Sequence, residues 1–101
     1  MISFEMSIQF KSWFGNLNDA RAKARILARL RSAELGNFGD CAPVGEGVSE
    51  MRVHFGPGYR VYFVRRGEVV YLLLCGGDKS TQNRDIRVAL EMSRTTRKVQ
   101  P

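Results

Sequence analysis

Residues 51–86 decide the fold, and they read MRVHFGPGYRVYFVRRGEVVYLLLCGGDKSTQNRDI. Three runs in this stretch have the alternation or the β-branched and aromatic composition of strands, and turn residues separate them. We predict strands over residues 51–55, 59–63 and 69–75. The last run is apolar at every position, which is typical of a central strand that is covered on both faces.

The register of the last two strands depends on the turn between them. If Arg66 and Gly67 form a two-residue turn, Arg60 pairs with Leu73 and Tyr62 pairs with Tyr71. The period of two also places Arg60 and Tyr62 on the same face of the sheet. Cationic and aromatic side chains therefore share one face.

The N-terminal third is predicted to hold a short strand and two helices. Residues 2–6 alternate as a strand does, and Ser7 can cap a helix whose apolar side chains recur at helical spacing. This stripe is best explained as core, and it contains Phe10, Trp13, Phe14 and Leu17. A second helix is predicted over residues 19–35, ended by Gly36, and residues 36–47 read as a loop.

Two faces of this second helix are predicted. The inward stripe is Ala20, Ala24, Leu27 and Leu30, although Lys23 falls within the same arc. On the other side, Arg21, Arg25 and Arg29 recur every four residues. Like charges at this spacing repel, so the row is either a solvated face or a ridge that meets RNA or an acidic partner.

A last helix is predicted after the Gly-Gly-Asp turn, capped by Ser80 or Thr81. Its inward residues are Ile86, Ala89 and Leu90. We expect one domain over residues 1–93 and a mobile basic tail over 94–101. The predicted class is α+β, with the order β-α-α-β-β-β-α and a small, mostly antiparallel sheet packed on helices.

Composition and charge exclude several classes of protein. The 101 residues are 44% hydrophobic and carry a net charge of +6, which indicates a globular protein with an anionic partner. No apolar run is long enough to cross a membrane and no signal peptide is evident, so we expect a cytoplasmic protein with free thiols. Two distant cysteines, Cys41 and Cys75, and one histidine, His54, predict no metal site. We expect no cofactor.

Three motifs carry a resemblance to a known family: GNFGD at 36–40, GPGYRVYF at 56–63 and LLLCGGDKSTQNRDI at 72–86. With the order of elements, they resemble the RelE/ParE toxin superfamily, and within it the phage Gp49-like, HigB-type branch of addiction module killer proteins. The resemblance covers about residues 10–89. It implies the RelE-like fold and a toxin of a type II toxin–antitoxin system.

The resemblance leaves the activity open, because one fold can carry different functions. RelE-like and HigB-like members cut mRNA on the ribosome without a metal, whereas ParE-like members poison DNA gyrase. A third interpretation is an inactive protein that only binds its antitoxin. The expected partners are a cognate helix-turn-helix antitoxin and, for an interferase, mRNA and ribosomal RNA.

Metal-free RNA cleavage needs a base for the ribose 2′-OH, cations for the phosphate and an acid for the leaving oxygen. The resemblance implies that Arg60, in the Gly-Tyr-Arg motif, contacts the scissile phosphate. It also implies base and charge-stabilising roles for His54 and Arg52. Lys79 can add charge beside the turn. No tyrosine follows Tyr71, so the general acid is unassigned.

Other residues are predicted to bind substrate rather than to react with it. Tyr62 can stack on a base, and Gln82 can orient the site. The arginine row of the second helix can hold RNA, through Arg21, Arg25 and Arg29. Tyr62 has a structural alternative as a contact of Tyr71 in the sheet, and the arginine row has one as a solvated face.

Overall fold

The computed structural model describes residues 1–99. Five strands form one sheet in the order β1-β5-β4-β3-β2, and only the β1–β5 pair is parallel. The α+β prediction with a mostly antiparallel sheet is therefore confirmed. The elements are β1 Ser3–Met6, α1 Ile8–Gly15, α2 Ala20–Glu34, β2 Cys41–Gly45, β3 Val48–Val53, β4 Tyr59–Arg65, β5 Val70–Asp78, a 3₁₀ turn Lys79–Thr81 and α3 Gln82–Val99.

Helices cover both faces of the sheet. Helices α1 and α2 pack on one face around a cluster that includes Phe10, Ile26 and Leu73. Helix α3 packs on the other face, where Leu72 and Leu74 belong to a second cluster. Successive residues of β5 thus point into opposite layers, as the pleat requires. The prediction that this strand is covered on both faces is confirmed.

The first two helices begin and end where the sequence predicts. The Ser7 hydroxyl accepts from the Phe10 amide at 2.9 Å, and Asp19 accepts from the first amides of α2. Gly36 follows α2 with φ 98°, which a residue without a Cβ adopts at little cost. The Asn37 amide donates back to the Ser32 carbonyl at 3.0 Å. This is a Schellman ending.

The predicted inward stripe of α2 is wrong. The buried residues are Ala22, Ile26, Leu30 and Ala33, so only Leu30 was placed correctly. Ala20, Ala24 and Leu27 are exposed. Alanine and leucine occur on more than one side of this helix, so small apolar residues alone did not fix its rotation.

The segment predicted as a loop contains the edge strand β2, Cys41–Gly45, which pairs with β3. Strand β3 also begins earlier than predicted, at Val48, and ends at Val53 before Phe55. The order is therefore β-α-α-β-β-β-β-α, with one strand more than predicted. Pro43 gives this strand the composition of a loop. A bulge between Pro43 and Gly45 also interrupts its pairing with β3.

The predicted register of β4 and β5 is also wrong. Arg60 pairs with Gly77 and Tyr62 pairs with Cys75. The connection spans residues 66–69 rather than a two-residue turn, and the register shifts again between Tyr62 and Phe63. Both changes move the sheet partner of Arg60 toward the C-terminal end of β5.

The last helix starts and ends differently from the prediction. Asp78 caps the 3₁₀ turn, with its carboxylate accepting from the Ser80 amide at 2.8 Å. Helix α3 follows from Gln82 and continues to Val99, past the predicted domain end at residue 93. Within this last part, Arg94 pairs with Glu46. Gln100 and Pro101, the end of the predicted mobile tail, lie outside the described residues.

The predicted packing of this helix holds, because Ile86, Ala89 and Leu90 all contact the second core cluster. In residues 1–99, no helix is both long enough and apolar enough to span a bilayer.

Candidate active site around Glu50

A buried carboxylate lies at the centre of the predicted site. Glu50 has no exposed surface, although it lies on a strand beside charged residues. A buried carboxylate is stable only when donors satisfy its oxygens. Four side chains do so here, each at 2.8–3.1 Å: Arg52, Arg60, Tyr62 and Gln82.

Strand pairing explains why these groups converge. In the β3–β4 register, Glu50 lies opposite Tyr62, and Arg52 lies opposite Arg60. Two arginines directly across a sheet repel each other. Glu50 lies diagonal to Arg60 and accepts from both arginines on the same oxygen, which offsets this repulsion. Gln82, at the start of α3, adds a donor from the adjoining layer.

The surroundings of Glu50 also set its ionisation. Burial alone would raise the pKa of Glu50, but hydrogen bonds from three of its partners and the charge of Arg60 outweigh burial and hold the pKa below its ordinary 4.5. Burial, together with the hydrogen bond to Glu50, raises the pKa of Tyr62 well above its ordinary value. Glu50 is thus an anion and Tyr62 a neutral phenol at neutral pH.

Three of the four predicted catalytic residues line one open groove. The groove has a volume of about 390 Å³, and its lining includes His54, Arg60 and Lys79. The turn at residues 56–58 forms its rim, and Gly58, with φ 83°, allows the chain to reverse tightly there. The fourth, Arg52, reaches the same site through Glu50 rather than through the groove.

Arg60 is the best-held cation of the groove. Its side chain is only 13% exposed, and one guanidinium nitrogen donates to Glu50 at 3.1 Å. The Nε atom is buried and has no hydrogen-bond partner in the described part of the chain. A guanidinium has five N–H donors, so the single contact with Glu50 leaves further donors on its terminal nitrogens.

His54 is oriented by a carboxylate that the sequence analysis did not single out. Its Nε2 atom lies 2.6 Å from Oδ2 of Asp40, in the segment before β2. The hydrogen bond with His54 is the main reason that the pKa of Asp40 is lowered. Arg52 lies 4.0 Å from the same carboxylate. An imidazole held through Nε2 presents Nδ1 to the surroundings.

The arginine row of α2 divides into two kinds of contact. Arg29 donates to three backbone carbonyls, those of Phe38, Asp40 and Arg52, and so ties α2 to β3 and the segment before β2. This is a structural role in place of the predicted RNA contact. Arg21 and Arg25 instead line an exposed depression beside Phe55.

The predicted base-stacking role of Tyr62 does not fit the structure. Tyr62 has no exposed surface, and its hydroxyl donates to Glu50 at 2.8 Å. A nucleobase has no access to its ring. Gln82, which is predicted to orient the site, donates its amide to Glu50 at 2.9 Å.

Among the described residues, no group of three or more histidine, cysteine, aspartate and glutamate side chains could hold a metal ion. The two cysteines are free, and Cys75 is buried. Burial raises the pKa of the Cys75 thiol to about 12.

A comparison with known proteins places this chain beside a bacterial relative. An uncharacterized protein of Haemophilus influenzae is 47% identical over 88 residues, which is 87% of this chain and 89% of the relative. The two chains belong to one family. No family model matches the sequence. Because the relative is uncharacterized, membership of this family adds no activity, and the function has to be argued from the site.

Two acidic residues of the site, Glu50 and Asp40, were not predicted from the sequence. Glu50 gave one signal, because it directly precedes the strand predicted over residues 51–55 and lies two positions before Arg52. Asp40 was noted only within the GNFGD motif. Each is hydrogen-bonded to a partner that is distant along the chain. Gln82 donates to Glu50, and His54 pairs with Asp40.

The lowered pKa of Glu50 predicts acid-sensitive stability. Its contribution is fully present above the ordinary pKa of 4.5 and is lost as the pH falls through the lower folded-state pKa. Urea unfolding of the wild type and of Glu50→Gln, between about pH 3 and 7, should show a gap in stability that narrows at the acid end. Glu68→Gln, in an exposed turn, is the control. A difference in stability between wild type and Glu50→Gln that stays constant with pH would contradict the lowered pKa of Glu50.

Proposed function

We propose that the protein is the toxin of a type II toxin–antitoxin pair and a metal-independent, ribosome-dependent mRNA interferase that acts in the cytoplasm. The observation that carries the proposal is the groove that gathers His54, Arg60 and Lys79. Two of these are hydrogen-bonded to a carboxylate, His54 to Asp40 and Arg60 to Glu50. The resemblance of the sequence motifs to RelE-like and HigB-like toxins supports the same conclusion.

His54 is the general base of the proposed reaction. With Nε2–H donated to Asp40, the neutral ring has its lone pair on Nδ1, where it can accept the proton of a ribose 2′-OH. The deprotonated oxygen then attacks the adjacent phosphorus, and the bond from phosphorus to the 5′-oxygen breaks. Asp40 is a positioning residue that fixes the tautomer and stabilises the ring when it gains the proton.

Arg60 and Lys79 stabilise the charge that develops on the phosphate. The arginine fork can donate two hydrogen bonds to non-bridging oxygens, and Lys79, which lines the same groove, adds a point charge. Glu50 prevents Arg60 from reorienting, so the donor is already in place when the phosphate arrives. The groove is open, so water can protonate the leaving oxygen.

The charge of the chain suits the proposed partners. A net charge of +6 favours association with ribosomal RNA and mRNA, and it also suits an acidic segment of a helix-turn-helix antitoxin. Binding to either partner should weaken as salt rises.

Cleavage of mRNA in a translating extract tests the proposal. Wild-type protein should cut translated mRNA and leave the same RNA intact without ribosomes. Arg60→Ala should cut about 100-fold more slowly, because a preorganised donor to the phosphate is lost. Arg60→Lys keeps the positive charge beside Glu50 but lacks the guanidinium fork. Its cleavage rate therefore separates the effect of the charge from the effect of the fork geometry. Arg31→Ala, an exposed arginine at the end of α2, should cut normally.

Two results would contradict the proposal. Folded wild-type protein that leaves translated mRNA intact would favour gyrase poisoning, the ParE-like alternative, which a DNA gyrase supercoiling assay detects. Cleavage that survives Arg60→Ala unchanged would remove Arg60 from the reaction.

A further inference from the structure

Three depressions adjoin one another across the surface. The first lies on α2 and is lined by Arg21, Ala24, Arg25 and Phe55. The second is the proposed catalytic groove, and it shares Phe55 with the first. The third lies over the start of α3 and shares Lys79 with the groove. The shared residues make one continuous surface, which we call the cationic track.

The lining of the cationic track is free of acidic residues. None of the residues that line the three depressions is aspartate or glutamate. Besides the groove's own Arg60 and Lys79, the track carries a cationic pair at each end: Arg21 with Arg25, and Arg84 with Arg87. Arg84 contacts Asp85 at 3.5 Å, but its side chain is 67% exposed. Surface cations are usually interspersed with acids, so an acid-free row of this length indicates an extended anion.

Phe55 lies where the α2 depression meets the catalytic groove. Its ring is half-buried, and the guanidinium of Arg25 lies 5.1 Å from the ring centroid. Phenyl rings and guanidinium planes are the two flat surfaces on which unpaired bases stack in proteins. A base can replace Arg25 over the ring or stack on the outer plane of the guanidinium.

We propose that Phe55 is a nucleobase platform and that a single RNA strand follows the cationic track, with Arg21 and Arg25 on one side of the groove and Arg84 and Arg87 on the other. The inference rests on the proposed RNA substrate, but it does not depend on cleavage. An acidic protein would be held by the same cations but would have no use for the aromatic platform. The aromatic ring between two cationic ends therefore favours a strand with splayed bases.

The test uses a 2′-O-methyl RNA oligonucleotide that contains one 2-aminopurine, whose fluorescence is quenched when the base stacks. Wild-type protein should bind it and quench the fluorescence. Phe55→Leu keeps apolar packing at the site but should abolish the quench and weaken binding about 5- to 150-fold. Phe55→Trp should restore both. Quenching that persists in Phe55→Leu would overturn the platform.

The second arm tests the far end of the track by salt dependence. For single strands, each phosphate contact contributes about 0.7 to the slope of log affinity against log salt. Arg84→Gln with Arg87→Gln should therefore reduce the slope by about 1.4. Lys11→Gln with Arg31→Gln removes the same charge from exposed positions off the track and should leave the slope unchanged. Equal slopes in the two double variants would exclude the α3 end.

The outcomes separate this inference from the proposed function. Quenching and track-dependent binding without any mRNA cleavage would support the cationic track and contradict the proposed nuclease activity. Cleavage of mRNA, with quenching that Phe55→Leu does not change, would support the nuclease activity and exclude Phe55 as the nucleobase platform. A competition with polyglutamate tests for an acidic protein partner. If polyglutamate displaces the oligonucleotide at equal charge concentration and binds Phe55→Leu as tightly as wild type, the surface binds protein and the inference is overturned.

Discussion

Replacing Glu50 with alanine should lower the free energy of unfolding by about 3 kcal/mol, with a fall in Tm of roughly 12 to 24 °C. The substitution removes the only acceptor that the buried Tyr62 hydroxyl has among residues 1–99. It also leaves Arg60, 13% exposed, opposite another arginine without a counter-charge. Arg52 contributes less, because its 38% exposure lets water replace the carboxylate.

Urea and thermal unfolding of wild type, Glu50→Ala and Glu68→Ala measure this effect. Glu68 is exposed in the turn between β4 and β5, so its replacement should change stability by less than about 0.5 kcal/mol. A second variant, Glu50→Ala with Arg60→Met, removes the unpaired cation and should recover part of the loss. Equal stability of Glu50→Ala and Glu68→Ala would show that the buried carboxylate does not hold the site together.

Alanine at Gly77 should destabilise the protein by about 3 kcal/mol, at the upper end of the range for overpacking. A Cβ at this position would lie within van der Waals overlap of the Asp85 carboxylate and 2.9 Å from Oγ1 of Thr81. Neither group can move freely, because the Thr81 hydroxyl donates to Asp85 at 2.5 Å and Asp85 is buried. Gly77 thus allows the start of α3 to approach β5 and brings Gln82 to Glu50.

A double-mutant cycle with Asp85→Ala tests the physical cause. Asp85→Ala removes the closest atom, so Gly77→Ala should cost about 2 kcal/mol less in that background than in wild type. Gly67→Ala is the matched control, because a Cβ at Gly67 has no other atom within 4 Å. Additive effects of the two substitutions would place the cost of Gly77→Ala in the backbone rather than in the overlap.

Periodicity was sufficient for elements that bury one constant face. Helix α1 and the inward residues of α3 follow from it, because their apolar residues recur at a single period. Strand β5 follows instead from an unbroken apolar run, which is typical of a strand that is covered on both faces. The rotation of α2 did not follow, since alanines and leucines lie on several sides of it. Strand β2 was missed because an edge strand pairs on one side only and tolerates Pro43.

The site was predicted in part, for a related reason. Sequence alternation brought Arg60, Arg52 and His54 together on neighbouring strands, and the turn placed Lys79 nearby. Glu50 was missed because a carboxylate on a strand usually faces solvent. Asp40 was missed because its partner, His54, lies 14 residues away along the chain. Their roles depend on side chains up to 32 residues away along the chain, which local pattern does not specify.

The parallel pairing of β1 with β5 bears on when the site can form during synthesis. Strand β1 is made first, yet its sheet partner is β5, and the Ser7 hydroxyl meets a carbonyl 67 residues later. A nascent chain therefore exposes β1 unpaired until most of the sequence has left the ribosome. The site is completed later still, when Lys79 joins the groove and Gln82 reaches Glu50. Synthesis itself thus delays assembly of the site until most of the chain has been made.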